Sequence, residues 1–366
     1  MTLKYYNPVK IIKTLNWSNS LNSLISELNI FKPLIMTSTG NYHRQNFDEK
    51  LSSNSFYLFS KQNPTFEDCT KLIAFCKAKK FDGIIAIGGG SVMDLAKVAM
   101  SFLALRNDNI LELINYKSTY NSKVPSVFLP TTHGTASEVT KWGTIWDMQD
   151  KKKYSISHND LYPSYAILDP TLTVTLPLDI SITTVLDALS HSFEAIWNKN
   201  SNKVSTEYAI EAIDLILKNG MKLKNNLDSL DLRKNLLHAS SLAGLAFSNT
   251  ATAAAHSISY PLTIRYGIPH GIAASMSLVE LLKINSSQIA NELGKIEKLT
   301  GHNLHRLIEK INQIPNDTVS MKLRDWGVDK NDIENLSSEC FTKGRMDNNI
   351  VNLNRKDVQK ILINIY

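Results

Sequence analysis

The side chains best suited to chemistry are one aspartate and three histidines in the second half of the chain. Asp187 and His191 lie four residues apart in TTVLDALSHSFEAIW, so a helix would project both from one face, about one turn apart. His256 follows the small-residue stretch SLAGLAFSNTATAAA, and His270 lies fourteen residues further on, in GIPHGIAAS. One carboxylate and three imidazoles suit divalent iron or zinc and leave open positions for a substrate oxygen.

Spacing alone does not decide between a metal site and a simpler arrangement. An Asp/His pair four residues apart is most often a pairing on a helix surface. The wider pattern favours the metal, because we predict that His256 closes a buried Ala-rich helix and because Pro269 and Gly271 frame His270. Both interpretations stay open at this point.

A glycine-rich segment in the first half indicates an anion site. IIAIGGGSVMDLAK places Gly88, Gly89 and Gly90 between an apolar strand and an amphipathic helix that begins near Ser91. Glycines allow close backbone approach, and the free N–H groups of a helix start attract phosphate. The pattern is neither GxGxxG nor a Walker loop, which disfavours an ordinary Rossmann dehydrogenase or a P-loop NTPase. A plain tight turn is the alternative, and Asp94 is either a ligand contact or a favourable charge near the helix start.

A second polar loop, LPTTHGTASEVT (129–140), also follows an apolar run. Its hydroxyls suit the lining of a ribose or phosphate site, and a hydroxyl-rich turn with a helix N-cap fits the spacing equally well. They belong to Thr131, Thr132, Thr135, Ser137 and Thr140.

The elements that must position these residues follow from the hydrophobic pattern. In the first half the apolar runs PLIMT, SFYLFS, DGIIAIGGG, SVFLP and YAILD alternate with amphipathic stretches, which predicts parallel βαβ units. Residues 143–157 interrupt this pattern and predict a hairpin insertion. From about residue 180 the periodicity is helical. We therefore predict an α/β dinucleotide-binding domain with a Rossmann-like parallel sheet over residues 1–178, and an all-α metal-binding domain over residues 179–366.

Composition excludes several classes of protein. The 366 residues are 43% hydrophobic and 20% charged, which is typical of a globular chain of two domains. The net charge of +6 has no basic tail, so we expect no nucleic-acid partner. We also expect no membrane association and a cytoplasmic location, because the opening lacks a secretory apolar region and no long apolar run follows. Three cysteines without a C-x-x-C pair support neither a disulfide framework nor a thiolate zinc site.

Several motifs in a fixed order resemble the iron-containing (group III) alcohol dehydrogenase family. They are GGGSVMDLAK, PTTHGTASEVT, LDPTLTVTLP, DALSHSFEA, AGLAFSN and PHG, and the match runs from about residue 30 to 290. The resemblance implies the dehydroquinate synthase-like architecture of this family, with an α/β nucleotide domain followed by a helical metal domain. It also implies a homodimer that uses NADH or NADPH.

The resemblance assigns roles to residues at matching positions. It implies that Fe(II) or Zn(II) is held by Asp187, His191, His256 and His270. It further implies that the cofactor pyrophosphate lies at Gly89, Gly90 and Ser91, that the rest of the cofactor is lined by Thr131, Thr132 and Thr135, and that Lys153 lies near the nicotinamide ribose.

Two departures from the family pattern concern the cofactor and the proton. Ser38 stands where many members have an aspartate that binds the adenosine ribose, with His43 and Arg44 nearby. Loss of that negative charge removes repulsion against a 2′-phosphate, so NADPH is admitted as well as NADH. Tyr260 stands where many members have a histidine proposed as a proton relay. It is either a proton donor or a buried core tyrosine.

The predicted reaction is hydride transfer between nicotinamide and the carbonyl of a small aldehyde that the metal polarises. Tyr260, Arg265 and the metal ligand His270 are the predicted catalytic side chains. Arg265 either holds an anionic substrate group or is a solvated loop charge.

The stretches THGTASEVTKWGTIWD, ALSHSFEAIWNKNSN and PLTIRYGIPHG resemble the phosphonoacetaldehyde reductase branch, which implies reduction of phosphonoacetaldehyde to 2-hydroxyethylphosphonate. The alternatives are simple alcohols, diols or glycerol as substrates, a metal-dependent lyase resembling dehydroquinate synthase, and a non-catalytic nucleotide sensor.

Overall fold

A computed structural model describes residues 5–51, 55–150, 152–315 and 317–366. The chain forms two compact units. The α/β unit comprises Asn7–Thr132 and Ala136–Thr173, and the helical unit comprises Val174–Tyr366 together with His133–Thr135 and residues 5–6.

The described part of the α/β unit contains a parallel sheet and a separate hairpin. Its strands are β1 (Lys10–Lys13), β2 (Pro33–Thr37), β3 (Ser55–Leu58), β4 (Gly83–Gly88), β5 (Ser126–Pro130), β6 (Trp142–Asp147), β7 (Lys152–Ser157) and β8 (Tyr165–Leu168). Its α-helices are α1 (Trp17–Glu27), α2 (Thr39–Arg44), α3 (Phe47–Lys50), α4 (Phe66–Ala78), α5 (Gly90–Leu105) and α6 (Ile110–Asn115). Short 3-10 turns lie at Ser137–Val139, Asn159–Leu161 and Pro170–Leu172.

The six strands of the main sheet run parallel in the order β1-β8-β5-β4-β2-β3. The strands β2, β4, β5 and β8 are buried along their whole length, as expected for a parallel sheet with helices on both faces. Successive residues alternate between two cores: Leu34 and Ile84 pack in the core that contains α4 and α5, whereas Ile35 and Ile85 pack in the core that contains α1. The predicted α/β architecture is confirmed.

The order of the strands creates a crevice at one edge of the sheet. From β2 the chain continues outward to β3, and from β4 it continues to β5 on the other side. At such a switch point the carboxyl ends of adjacent parallel strands open a site for a ligand. Thr37, at the end of β2, donates its hydroxyl to the carbonyl of Ile87 at 2.7 Å. Ser38 and Gly89, which directly follow β2 and β4, therefore lie at the same edge.

The predicted hairpin is confirmed, and one strand was missed. Strands β6 and β7 pair antiparallel as a separate two-stranded sheet. This hairpin approaches α5 closely, because a Cβ built on Gly143 would lie 2.8 Å from the carbonyl oxygen of Asp94. Strand β1 pairs with β8, but its sequence KIIK has only two apolar residues between lysines and gave no clear strand signal.

The described part of the helical unit is built around a long buried helix. Its α-helices are α7 (Leu178–Ile196), α8 (Lys203–Asn219), α9 (Leu230–Thr250), α10 (Ala254–Tyr266), α11 (His270–Met276), α12 (Leu278–Asn285), α13 (Ala290–Thr300), α14 (Leu304–Gln313), α15 (Ile333–Glu339) and α16 (Arg355–Asn364). Short 3-10 turns lie at Gly220–Asn225, Ser286–Ile289, Leu323–Trp326, Lys330–Asp332 and Met346–Asn348. Helices α8, α9 and α11 pack on α7, and every residue of α7 from Val185 to Ile196 is buried.

The prediction that His256 closes the small-residue helix is wrong. Helix α9 ends at Thr250, and His256 is the third residue of the separate helix α10. Ala251 breaks the helix with φ 60° and ψ 179°, a region that strains any residue with a Cβ. Side-chain amides hold the break: Asn198 donates to the carbonyl of Ala251 at 3.1 Å, and Asn348 donates to the carbonyl of Thr252 at 2.8 Å.

Among the helices that the structure describes, none is both long and apolar enough to cross a bilayer.

The substitution Ala251→Gly should stabilise the protein. It relieves about 1–3 kcal/mol of backbone strain and loses about 0.5–1 kcal/mol through the greater freedom of the unfolded chain. We expect the free energy of unfolding from urea denaturation to rise by about 1 kcal/mol. Ala243→Gly, inside α9, is the matched control and should lower it by about 1 kcal/mol. A lower stability for Ala251→Gly would show that the break is not strained.

Candidate metal and nucleotide sites

Helix α7 presents three buried ionisable side chains on one face. Asp187, His191 and Glu194 are separated by four and three residues, and each is at most 5% exposed. Buried charges are costly unless they are paired or bind a metal. Their partners therefore define the site.

Side chains from three helices converge at Asp187. One ligand atom each from Asp187, His256 and His270 lies within 4.8 Å of the others. The Oδ1 atom of Asp187 is 3.5 Å from Nε2 of His256, and the ring centroids of His256 and His270 are 5.3 Å apart. The three side chains come from α7, α10 and α11, so packing of these helices builds the site.

The packing of α11 on α7 requires a glycine next to His270. A Cβ built on Gly271 would lie 2.3 Å from the backbone oxygen of Thr183 and 3.0 Å from Cβ of Asp187. Any side chain at position 271 would force the two helices apart. The absence of a side chain at Gly271 therefore sets the approach of His270 to Asp187.

Glu194 fixes the orientation of His256. One carboxylate oxygen accepts from the backbone N–H of His256 at 3.1 Å, and the other accepts from its Nδ1 at 2.5 Å. This bond directs Nε2 of the same ring toward Asp187. Metal-binding histidines commonly donate their second ring N–H to a carboxylate in this way. The sequence analysis missed Glu194, although its spacing of seven residues from Asp187 placed it on the same face of α7.

The charges of the site favour a cation. Burial would raise the pKa of the Asp187 carboxyl, but the neighbouring His191, His256 and His270 outweigh burial and hold that pKa well below its usual range. Burial would lower the pKa of His256, but the charges of Glu194 and Asp187 raise it to about 10. Burial lowers the pKa of His191 to about 4. The electrostatics of the site therefore favour a positive charge beside Asp187 and Glu194, which a metal ion bound to Nε2 of His256 would supply.

These residues fit a divalent metal ion. The Oδ1 atom of Asp187 and Nε2 of His256 are buried and make no well-formed hydrogen bond within the described residues, because their separation of 3.5 Å lies at the limit for one. Coordination to one cation would satisfy both atoms. Carboxylate and imidazole ligands accept Fe(II) and Zn(II) alike.

The glycine segment lies at the crevice of the sheet. Gly88 ends β4, Gly89 precedes α5, and the helix begins at Gly90, one residue before the predicted start. The first N–H groups of a helix have no acceptor within it, so they can bind phosphate. A Cβ on Gly89 would lie 3.2 Å from Cγ2 of Thr132, which shows how closely the polar loop approaches. The hydroxyl of Ser91 accepts from the backbone N–H of Asn63 at 3.2 Å.

Two predicted cofactor residues have structural partners at the same edge. The backbone N–H of Thr131 donates to the carbonyl of Gly88 at 3.1 Å, and its hydroxyl is 3.4 Å from Nδ2 of Asn41. Ser38 caps helix α2 by accepting from the backbone N–H of Asn41 at 3.2 Å. Ser38, Gly89 and Thr131 therefore lie along one rim. Thr135 belongs to the helical unit.

A buried lysine that the sequence analysis missed holds the polar loop. Lys97 is fully buried on α5, and its Nζ donates to Ser137, Thr140 and the carbonyl of Trp142 at 2.7, 3.1 and 2.6 Å. Asp94 accepts from the hydroxyl of Ser137 at 2.9 Å. Burial lowers the pKa of Lys97 to about 8. The hydroxyls of Ser137 and Thr140 thus hold the loop in place through Lys97. Asp94 has a structural contact with Ser137 in addition to its predicted role.

Models of known protein families match both units. The C-terminal model of the Fe-containing alcohol dehydrogenase family matches residues 181–366, and the iron-containing alcohol dehydrogenase model matches residues 8–170. The chain belongs to the iron-containing alcohol dehydrogenase family. The predicted family and the predicted class of enzyme, an oxidoreductase, are thereby confirmed, whereas the lyase and sensor alternatives lose their support.

Relatives within the iron-containing alcohol dehydrogenase family differ in the substrates that their names state. Long-chain-alcohol dehydrogenase 1 of Geobacillus thermodenitrificans is 30% identical over 77% of this chain and 74% of its own length. The 4-hydroxybutyrate dehydrogenase of Clostridium kluyveri is 28% identical over 87% of this chain and 89% of its own. The structure of sulfoacetaldehyde reductase from Bifidobacterium kashiwanohense in complex with NAD+ shares the fold, with a TM-score of 0.92 and 23% identity over 100% of this chain and 99% of that chain.

Two predicted site residues, the metal ligand His191 and the substrate-binding Arg265, make contacts that the sequence did not predict. His191 is not part of the group of mutually close ligand atoms. Its ring stacks between those of Phe247 and His256, at centroid distances of 4.1 and 4.4 Å. Arg265 is neutralised, because its guanidinium binds Asp332 and also Glu339, the latter at 2.9 Å. Carboxylates of the chain thus already pair with Arg265, and its role toward a substrate anion stays a prediction.

The other two predicted side chains are Tyr260, in the helical unit, and Lys153, in the α/β unit. The ring of Tyr260 is nearly parallel to that of His270, with centroids 6.4 Å apart. The Nε atom of Arg345 donates to its hydroxyl at 3.2 Å. Lys153 lies on β7 with its Nζ 5.3 Å from the ring centroid of Trp146. Tyr260 is thus close to the metal ligands, as a proton donor must be.

Replacement of Glu194 by glutamine should weaken metal binding. The change removes the negative charge that orients His256, and the loss of such a partner typically lowers affinity by about 10- to 100-fold. Competition with a chelator measures this affinity directly. Ser192→Ala is the matched control, because Ser192 is buried on the same helix and its hydroxyl donates, within the described part of the chain, to the carbonyl of Ala188 alone. Equal affinities for Glu194→Gln and Ser192→Ala would refute the orienting role.

The substitution Gly271→Ala should reduce both stability and metal affinity. The added methyl group meets the backbone of α7, and we expect overpacking to cost about 1–3 kcal/mol of unfolding free energy. Gly294→Ala in α13 is the control, because among the residues that the structure describes no atom outside the helix's own backbone lies within 4 Å of its added Cβ. The control should gain up to about 1 kcal/mol from helix propensity. If Gly271→Ala and Gly294→Ala change the free energy of unfolding in the same direction, this interpretation of the packing is wrong.

Proposed function

We propose that the chain interconverts a short aldehyde and its alcohol by hydride exchange with NADH or NADPH, at a divalent iron or zinc ion. The observation that supports this most is the convergence of Asp187, His256 and His270. His191 remains the predicted fourth ligand: it lies one turn from Asp187 on α7, and its buried Nδ1 makes no hydrogen bond within the described residues. When bound, the ion and the nicotinamide supply carbonyl polarisation and hydride chemistry.

The chain itself contributes positioning and proton transfer. The N–H groups that begin α5, at Gly90 and Ser91, bind the pyrophosphate of the cofactor. Glu194 holds the tautomer of His256, and burial of the site excludes water from the reacting carbonyl. The hydroxyl of Tyr260, whose ring lies beside that of His270, gives a proton to the product oxygen. The products are the alcohol and the oxidised cofactor.

The proposed substrate is phosphonoacetaldehyde, which is reduced to 2-hydroxyethylphosphonate. Support comes from the sequence resemblance and from the 4-hydroxybutyrate dehydrogenase relative, whose named substrate also carries an anionic group. The relative named for long-chain alcohols keeps simple alcohols and diols as the second candidate.

An anaerobic assay of protein loaded with Fe(II) or Zn(II) tests the reaction. NADH and NADPH are each offered with phosphonoacetaldehyde, propanal and 3-hydroxypropanal. We expect one equivalent of cofactor to be oxidised per aldehyde reduced, with the highest kcat/KM for phosphonoacetaldehyde. If neither cofactor is oxidised with any aldehyde under either metal, the proposed function fails.

The substitution Ser38→Asp tests whether the adenosine ribose of the cofactor binds beside Ser38. Aspartate caps a helix as well as serine does, so α2 should remain intact. A carboxylate at this position repels the 2′-phosphate of NADPH and can bind the ribose hydroxyl of NADH. We expect kcat/KM for NADPH relative to NADH to fall by about 10-fold or more. Ser38→Asn is the uncharged control and should keep the ratio within about 3-fold. An unchanged ratio in Ser38→Asp would place the ribose elsewhere.

A further inference from the structure

A second arginine contacts Tyr260, whose ring lies beside that of the metal ligand His270. Arg345 lies between α15 and α16, just before the 3-10 turn Met346–Asn348, and is half-buried. Its Nε donates to the hydroxyl of Tyr260 at 3.2 Å, and the ring of Tyr260 lies 6.4 Å from that of His270. Within the helical unit, Arg345 therefore contacts Tyr260, and Tyr260 in turn lies beside His270.

The segment that carries Arg345 is fastened to the helix that carries His256. The hydroxyl of Ser257 accepts from the backbone N–H of Thr342 at 3.0 Å and donates to the carbonyl of Cys340 at 2.5 Å. Asn348 donates to the carbonyl of Thr252, just before α10, at 2.8 Å. These bonds flank Arg345 on both sides in sequence. Its position is therefore set by the same helix as the metal ligand.

The charge of Arg345 is not compensated within the described residues. Its other hydrogen bond runs from Nη1 to the carbonyl of Gly344 at 2.8 Å, and no carboxylate of the described chain forms an ion pair with it. Arg265 differs, because it pairs with both Asp332 and Glu339. A half-buried guanidinium without a counter-charge has a strong preference for an anion, which it can bind through two parallel N–H groups.

We infer that Arg345 is the specificity-determining residue that binds the anionic group of the substrate. This inference rests on the proposed function, because it assumes that the carbonyl lies at Asp187, His256 and His270. The substrate class is a short aldehyde that carries a phosphonate, sulfonate or carboxylate near the carbonyl. Tyr260 orients the guanidinium through Nε and leaves Nη2 for the anion. Arg345 thus takes the role that the sequence predicted for Arg265.

The test compares Arg345→Gln and Arg345→Lys with Arg265→Gln. For phosphonoacetaldehyde and for succinate semialdehyde, we expect Arg345→Gln to raise KM by about 30-fold or more with a small change in kcat. Loss of the bond to Tyr260 affects charged and neutral aldehydes alike, so the deciding quantity is the ratio of kcat/KM for phosphonoacetaldehyde to kcat/KM for propanal, which should fall by about 10-fold or more. Arg345→Lys should restore part of the loss. Arg265→Gln should leave the preference for anionic over neutral aldehydes unchanged.

Calorimetry provides a second measurement that needs no turnover. Binding of 2-hydroxyethylphosphonate to the metal-loaded protein with oxidised cofactor should weaken by a similar factor in Arg345→Gln and not in Arg265→Gln. The inference is overturned if Arg345→Gln binds this anion as tightly as the native protein, or if it loses activity equally with charged and neutral aldehydes. If no aldehyde is reduced by the native protein, the proposed function fails, and calorimetry still decides whether Arg345 binds the anion.

Discussion

The burial of Glu194 against His256 is the interaction on which the candidate metal site depends. Two hydrogen bonds, one to the backbone and one to the ring, hold the imidazole so that Nε2 faces Asp187. Removing one partner of a buried charged pair typically costs about 3–5 kcal/mol. The intact pair also pays the desolvation of two charges in the centre of the helical unit, where well-packed apolar residues often give equal or greater stability. A cation that needs an oriented imidazole beside a carboxylate explains why the charges are there.

Each unit contributes one part of the chemistry through a constraint of its own fold. In the α/β unit, the change of direction between β2 and β4 brings Ser38 and Gly89 to one edge. In the helical unit, the lack of a side chain at Gly271 lets α11 lie directly on α7. The buried Lys97 holds the polar loop from within. The candidate nucleotide site and the candidate metal site thus each depend on packing within their own unit.

Much of the fold was predictable from hydrophobic pattern, because long apolar runs report burial directly. The strands PLIMT and SVFLP were predicted to the residue. The break before His256 was not, because an alanine with positive φ leaves no sequence signal and the amides that hold it come from distant Asn198 and Asn348. The roles of Arg265 and Arg345 depend on contacts between residues far apart in sequence. Periodicity cannot report such contacts.

The most direct test is a titration of metal-free protein with Fe(II) under anaerobic conditions, with the ion counted per chain. We expect one ion to bind to the native protein. We expect none to bind at that affinity when Asp187, His256 and His270 are all replaced by alanine. Equal stoichiometry and affinity in the two proteins would contradict this expectation.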